Sequence, residues 1–452
     1  MLAVPQPVLP PLPPLGTQRR LSVGVIGAGV VGLSSALWLQ RAGHRVTLVD
    51  PAAPTSNRGY AQAASFGNAC TMAFGACIPV ATPGVLRAVP RMLLDRQGPL
   101  TISWRDLPGL VPWLASFLRS AHPEAVSRIV GILGELLRLA EAGHAPLFAA
   151  AGADDLRRMT GCLYLYRSAA SFNAAQAEIM LRHREGVQMR ILEREEIQAR
   201  EPNLAPLYHK GLLFEDAYFI DDPLTYARRL LARFLTDGGT LVAAGVRGIE
   251  RDTEGLTLRC GDHNLRVERA VLAAGAWSGR IARSFGDRVR LDTERGYHVL
   301  FPADGQLLTA PTCYPEHGFY MTPLAEGLRA AGTVELGGLG KPLRPARTAA
   351  IERVARKLLP GLGNTGRTWL GFRPSMPDSL PVIGPSPVDP RIIYAFGHGH
   401  IGLTLAGITG RLAADIIDER RPLVDLRRCC HVKFLWPERP GARRYSGETG
   451  RN

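Results

Sequence analysis

Long uncharged apolar stretches are missing from this 452-residue chain. No run of about 18 apolar residues is free of charge, so a membrane-spanning helix is not expected. Paired cysteines are missing as well. The seven cysteines (Cys70, Cys77, Cys162, Cys260, Cys313, Cys429 and Cys430) are odd in number, and none stands as CxxC. No His/Cys cluster has zinc spacing, so neither a disulfide framework nor a metal site is expected. Scattered thiols of this kind suit a reducing, cytoplasmic setting, and Cys429-Cys430 reads as incidental to a basic tail. A secretory leader is not expected from the opening residues. Six prolines and no charge in the first 15 residues leave neither a basic start nor a helical apolar core. Residues 1–20 are expected to form a disordered extension. No internal repeat is found. The net charge of +14 has no aromatic-interleaved basic strand beside it. It therefore reads as an arginine-rich solvated surface, with no nucleic-acid partner expected.

What is present begins with ordinary globular composition, 46% hydrophobic and 21% charged, in a chain long enough for two or three domains. Residues 21–50 read LSVGVIGAGVVGLSSALWLQRAGHRVTLVD. An apolar strand, Val23 to Ile26, runs into Gly27-Ala28-Gly29-Val30-Val31-Gly32, then a helix-period segment, then a second strand closing on Asp50. Gly27 permits the tight turn, Gly29 lets backbone approach a pyrophosphate, and Gly32 lets helix and strand pack closely. The helix N-terminus offers free N–H groups to phosphates. Asp50, 18 residues after Gly32, can accept from both ribose hydroxyls. Together these parts predict a binder of an adenine dinucleotide.

Residues 55–84 lack periodicity and are expected to form a long loop over the cofactor. Helical stretches such as Glu124–Ala142 and Asn173–Arg184 then alternate with short strands such as Cys162–Tyr166. A helix at Pro223–Asp237 leads into a β-meander, and Arg269–Ser278 reads as a buried strand ending in a small-residue turn. Residues 290–345 are β-rich, a helix spans Thr348–Leu359, and a final helix runs from Gly402 to Asp418. This order predicts an α/β fold with a discontinuous FAD-binding Rossmann-like domain (21–85 with 223–289 and 367–426). An α+β substrate domain (86–222 with 290–366) is inserted in it, and a basic tail follows at 427–452.

Three further motifs carry chemistry. Val271 to Ile281 ends a strand at Ala274 and Gly275, where a nucleotide can pass close to backbone, with Trp277 opening a helix. In Gly371-Phe372-Arg373-Pro374, Arg373 is expected on a stiff Pro-rich loop, suited to bidentate capture of a carboxylate. Phe396-Gly397-His398-Gly399-His400-Ile401-Gly402-Leu403-Thr404 places glycines before a helix N-terminus. That is an anion site suited to the flavin edge where negative charge accumulates.

In this order the four motifs resemble the FAD-dependent D-amino-acid oxidase superfamily, nearest the D-amino-acid dehydrogenase small-subunit branch, from Leu21 to Leu426. Ala64-Ser65-Phe66-Gly67-Asn68-Ala69 resembles the branch's segment over the isoalloxazine ring. Glu294-Arg295-Gly296-Tyr297-His298 resembles its substrate-domain strand, and Gly332-Thr333-Val334-Glu335 a strand by the active site. The resemblance implies that Ala64, Ser65, Asn68, Val246, Gly397, Gly399, Gly402, Leu403 and Thr404 help hold FAD. It also implies that Arg373 binds a substrate carboxylate. The branch usually has a glycine where this chain has Cys70, and glycine oxidases have a second arginine where this chain has His400-Ile401.

The implied chemistry is oxidative deamination of a D-amino acid or related imino acid. Hydride leaves Cα for flavin N5, and the product is a 2-oxo acid with ammonia, or a cyclic imine. Tyr297 and Tyr320 are expected to hydrogen-bond the carboxylate, His400 to touch cofactor or substrate, and His298 to be structural on the opposite strand face. Orientation and electrostatics suffice, so no general base is expected. The branch implies a non-oxygen acceptor, a quinone or a partner protein, and the basic tail suits peripheral contact with the inner face of a membrane. Alternatives are an oxygen-using oxidase and a non-catalytic flavin-binding subunit.

Overall fold

The computed structural model describes residues 7–12, 19–55, 60–94, 100–102, 106–261, 263–302 and 304–428. The basic tail beyond Arg428 and the Cys429-Cys430 pair lie outside the described residues. Among the described residues no helix is long and apolar enough to cross a membrane.

Strand Ser22–Ile26 is buried on both faces, which its continuous Val/Ile character requires of a parallel strand. It sits inside a six-stranded sheet. In spatial order the strands are Thr240–Val242, Arg45–Val49, Ser22–Ile26, Arg269–Leu272, Ile392–Phe396 and Val382–Pro385. All pairs are parallel except the last. The chain leaves Ser22–Ile26 toward Arg45–Val49 on one side and returns as Arg269–Leu272 on the other. The carboxyl ends of these two strands therefore form a topological switch point, where open α/β sheets bind ligands.

The antiparallel meander Gly248–Arg251, Leu256–Cys260 and His263–Val267 covers one face of the sheet. Helices Val30–Arg41 and Gly402–Ile417 cover the other, so close that a Cβ at Gly410 would fall 2.7 Å from the Ser34 backbone. Helices Pro123–Arg138 and Ala140–Ala151 join this same apolar core instead of a separate substrate domain. Gly143 and Gly407 let the helices Ala140–Ala151 and Gly402–Ile417 touch backbone to backbone. Between them, His144 bridges Tyr226 and the Leu403 carbonyl at 3.2 and 2.9 Å. The single helix expected over Glu124–Ala142 is thus two, the second being the one that docks. Residues 7–12, expected to extend freely, lie against the C-terminal helix, where Arg411 Nη1 donates to the Pro10 carbonyl at 2.8 Å.

Besides a small sheet of Thr71–Met72, Tyr218–Ile220 and Arg157–Arg158, a nine-stranded sheet forms the rest. From its edge it runs Thr368–Ser375, Asp292–Pro302, Gly327–Leu336, Phe319–Leu324, Thr312–Tyr314, Cys162–Tyr166, Lys210–Phe214 and Arg190–Leu192, with Leu100–Ile102 beside Gly327–Leu336. Helix Pro345–Leu358 packs on one face through Ile351, Ala355 and Leu358. Thr368–Ser375, expected as a loop of the nucleotide domain, is the edge strand here, paired antiparallel with Asp292–Val299. Its Pro374 is tolerated because an edge strand has one unpaired side.

Candidate functional site

One cleft runs from the switch point to the edge of the nine-stranded sheet. At its first end, Gly27 adopts φ +106°, and a Cβ there would meet Ala273 O at 2.5 Å. A Cβ at Gly32 would lie 1.8 Å from Gly27 O, so both glycines are dictated by the protein itself. Gly29 differs. A Cβ there would meet no protein atom and would project into the cleft, so its glycine serves whatever the cleft holds. The helix starting at Val30 has no side-chain cap, and its first N–H groups are left for an anion.

Asp50 closes this end. Its Oδ2 accepts from Ala28 N and its Oδ1 from Ala52 N, both at 2.6 Å. Burial raises its carboxyl, and these two backbone donors oppose the rise. Each oxygen keeps a further lone pair, enough for ribose hydroxyls. Ala28, Val30 and Val31 line the cleft here, with Ala274, Gly275, Trp277 and Val246 opposite. Trp277 is held edge-on against Phe372, ring centroids 5.7 Å apart.

The middle wall is the segment after Tyr60, contributing Ala64, Ser65 and Asn68. Tyr60 and Ser65 hydroxyls bond at 3.1 Å, and Asn68 Oδ1 accepts from Cys70 N at 2.9 Å. Cys70 has φ +56°, a conformation that normally asks for glycine. Arg329 steadies the departure by donating from Nη1 to the carbonyls of Phe66 and Asn68, at 2.9 and 3.0 Å. The opposite wall carries Trp369, whose Nε1 donates to Ala61 O at 2.6 Å and whose ring stacks on His298. His298 donates from Nδ1 to Gly67 O at 2.9 Å, and burial holds its basicity well below normal, so it is neutral.

At the far end, Gly296 and Gly371 are register partners on adjacent strands, leaving a bare patch of sheet. The Arg373 guanidinium lies over Gly296, where a Cβ would fall 2.4 Å from Cζ. Nη1 of Arg373 donates to Thr333 O at 3.0 Å. Burial works against the Arg373 charge and Glu294, its register partner, works to keep it. The turn at Gly399, His400, Gly402 and Leu403 completes the cleft, with the helix from Gly402 again uncapped by any side chain. Gly397 and Thr404 support this turn from behind. Gly397 has φ +83° against Met376, and Thr404 Oγ1 accepts from Ala73 N at 3.0 Å.

Two expected substrate contacts lie elsewhere. Tyr297 is buried on the helix side of its strand with Val299 and Phe301, and its hydroxyl donates to Glu335. Tyr320 bonds Tyr164 in another cluster. Alternation along the strand is as expected, but the faces are reversed: Glu294, Gly296 and His298 face the cleft side and Tyr297 the core. Glu294, Gly296, Gly371 and His398 stood inside quoted motifs without a site role of their own, and Trp369 was not singled out. The glycines within strands were the available signal, since such a glycine marks close approach of another group. Among the described residues no group of three or more His, Cys, Asp or Glu side chains is placed to hold a metal ion.

Residues 22–416 match the family model described as FAD dependent oxidoreductase. A relative from Bradyrhizobium diazoefficiens, a D-amino-acid oxidase, is 36% identical over 420 residues, 91% of this chain and 99% of its own length. Among solved structures, glycine oxidase from Geobacillus kaustophilus superposes with TM-score 0.70 at 20% identity, over 93% of this chain and 100% of that one. L-proline dehydrogenase from P. horikoshii gives 0.65 at 17% identity, over 90% and 96%.

Proposed function

This chain belongs to the family of FAD-dependent oxidoreductases, and we propose that it oxidises the amine-bearing carbon of D-amino acids to give 2-oxo acids and ammonia. The observation that carries the reading is Arg373. A half-buried guanidinium rests on glycine backbone at the edge of the cleft whose other end is a dinucleotide cradle. The cradle fits FAD: Gly27 to Val31 and the uncapped helix would hold the pyrophosphate, and Asp50 the adenosine ribose. Ala64, Ser65, Asn68 and the Gly399–Leu403 turn would border the flavin. FAD supplies the two-electron acceptor for hydride leaving the substrate's Cα. Arg373 pairs with the substrate carboxylate through a fork of N–H donors and so fixes which hydrogen faces the cofactor. Glycine at 296 and 371 allows that approach. No side chain need remove the Cα proton, and the imino acid product hydrolyses in water.

The D-configuration is supported by the Bradyrhizobium relative's name. That same name favours dioxygen as the electron acceptor over the quinone or partner protein expected from the sequence. A panel of D-amino acids, L-amino acids, D-proline and N-methyl amino acids, scored by anaerobic loss of flavin absorbance, tests the substrate. D-amino acids should bleach the flavin and their L-enantiomers should not. Admitting air then tests the acceptor, with return of the yellow colour within seconds supporting dioxygen. Colour that returned only with an added quinone would restore the dehydrogenase reading.

A further inference from the structure

Glu294 has no part in cradling a dinucleotide or gripping a carboxylate, yet it is a carboxylate with its side chain only 5% exposed at the Arg373 end of the cleft. A charge so buried is costly unless it is paired. Its hydrogen-bonding partner is not Arg373, whose Nη1 is engaged with Thr333 O. The partner is His400, whose Nε2 lies 2.7 Å from Glu294 Oε2. A carboxylate can only accept, so Nε2 carries the hydrogen, and the neutral ring then presents Nδ1 as an acceptor. The His400 side chain is 41% exposed and lines the cleft. No hydrogen bond engages Nδ1 among the described residues.

We propose that Glu294 and His400 form a dyad that takes a proton from the substrate's ammonium group. The proposal rests on the amine-oxidising reading of the cleft. An amino acid arrives as a zwitterion, and its ammonium nitrogen has no lone pair to expel hydride. His400 Nδ1 accepts one N–H proton, and the electrons of that bond remain on nitrogen as the amine lone pair. The lone pair becomes the second C–N bond as hydride leaves Cα with both electrons for FAD. The imidazolium, stabilised meanwhile by Glu294, returns its proton to water through its exposed edge. No base acts on the Cα–H bond itself.

The groups facing the dyad agree with this division of labour. Arg373 comes from the adjacent strand, Asp292 lies two residues before Glu294, and His398 shares the turn with His400. Burial alone would raise the Glu294 carboxyl, but His400, Arg373 and the Ser375 hydroxyl outweigh it and hold it below the ordinary range. Glu294 is therefore ionised when His400 needs it. His398, pushed down to about 3 by burial, stays neutral and does not compete.

The test uses the full-length FAD-loaded protein, with His400→Asn and Glu294→Gln. At neutral pH, His400→Asn should lower kcat/KM for a D-amino acid about 100-fold. Its rate should then climb about tenfold per pH unit toward the ammonium group's own pKa, as free amine becomes the only reactive form. Glu294→Gln should lower kcat/KM at neutral pH in the same direction as His400→Asn, and should abolish the preference for the Nε2–H tautomer that nitrogen NMR of His400 is expected to show in wild type. Propionate, a carboxylate with no amine, should perturb the flavin spectrum with equal affinity in wild type and His400→Asn, because Arg373 is intact. A wild-type pH profile in His400→Asn, or a His400 tautomer indifferent to Glu294→Gln, overturns the dyad. Should no amine reduce the wild type, the substrate reading falls by itself, while the His400 tautomer still decides whether the dyad exists.

Discussion

The two ends of the cleft are built on opposite plans. The dinucleotide end is built mainly on one continuous piece of chain, Gly27 to Asp50, faced by the single turn Ala273 to Trp277. The reaction end gathers Glu294 and Gly296 from one strand, Arg373 from a second and His400 from a turn before the last helix. Glycine shows the contrast most directly. At Gly32 an added Cβ would strike backbone at 1.8 Å, whereas at Gly296 it would strike the far end of the Arg373 side chain. A rigid obstacle breaks the fold, and a movable one shifts the site.

The sharpest way to break the comparison is to exchange these consequences. Gly32→Ala should destabilise the protein by about 4 kcal/mol and abolish retention of FAD, read by thermal unfolding and flavin absorbance. Gly296→Ala should leave the unfolding midpoint nearly unchanged but displace the guanidinium, raising KM about tenfold, or about 1.4 kcal/mol. If Gly296→Ala unfolded the protein as Gly32→Ala does, the two ends would not differ in kind.

That contrast also explains what the sequence revealed. Gly27, Asp50 and the Ala274-Gly275 turn were legible because their spacing is local and their roles follow from backbone geometry. Arg373 was legible as a residue but not as a strand position, since flanking prolines mimic a loop until a partner strand accepts the edge. Tyr297 misled for a related reason. Period-two alternation says that Tyr297 and Gly296 face opposite ways, but only helix Pro345–Leu358, packed on one face, says which way is the core. Glu294 was invisible as a site residue because its register with Arg373 joins strands almost eighty residues apart. The docking of helices Pro123–Arg138 and Ala140–Ala151 onto the nucleotide core depends likewise on a distant glycine pair, Gly143 with Gly407.

Buried histidines sharpen the comparison through pH. His398 (about 3) sits at the reaction end and His298 (well below normal) behind the middle wall, and burial holds both neutral in the folded protein. Their folded values lie below the unfolded one, about 6.5, so the unfolded state takes up protons first as pH falls. Stability should therefore decline below about pH 6.5, by about 1.4 kcal/mol per pH unit for each histidine. Replacing His398 with Gln should remove one histidine's share of that slope in denaturant titrations at stepped pH. An unchanged slope would mean that the turn opens to admit protons.

The smallest effect expected is at Tyr297. Tyr297→Phe loses the hydrogen bond to Glu335 and should cost about 1 kcal/mol of stability. It should leave KM for a D-amino acid within error, and a large rise in KM would place the hydroxyl at the substrate after all.

Arg373 as carboxylate clamp is the centre of the amine-oxidising flavin site proposed for this cleft. Its most direct test is anaerobic titration of FAD-loaded wild type and Arg373→Ala with the same D-amino acid. Both proteins should hold flavin, and wild type should bleach at low substrate concentration. Arg373→Ala should require at least about 100-fold more substrate, the loss of one charge-assisted bidentate pair. Identical bleaching curves for the two proteins would contradict it.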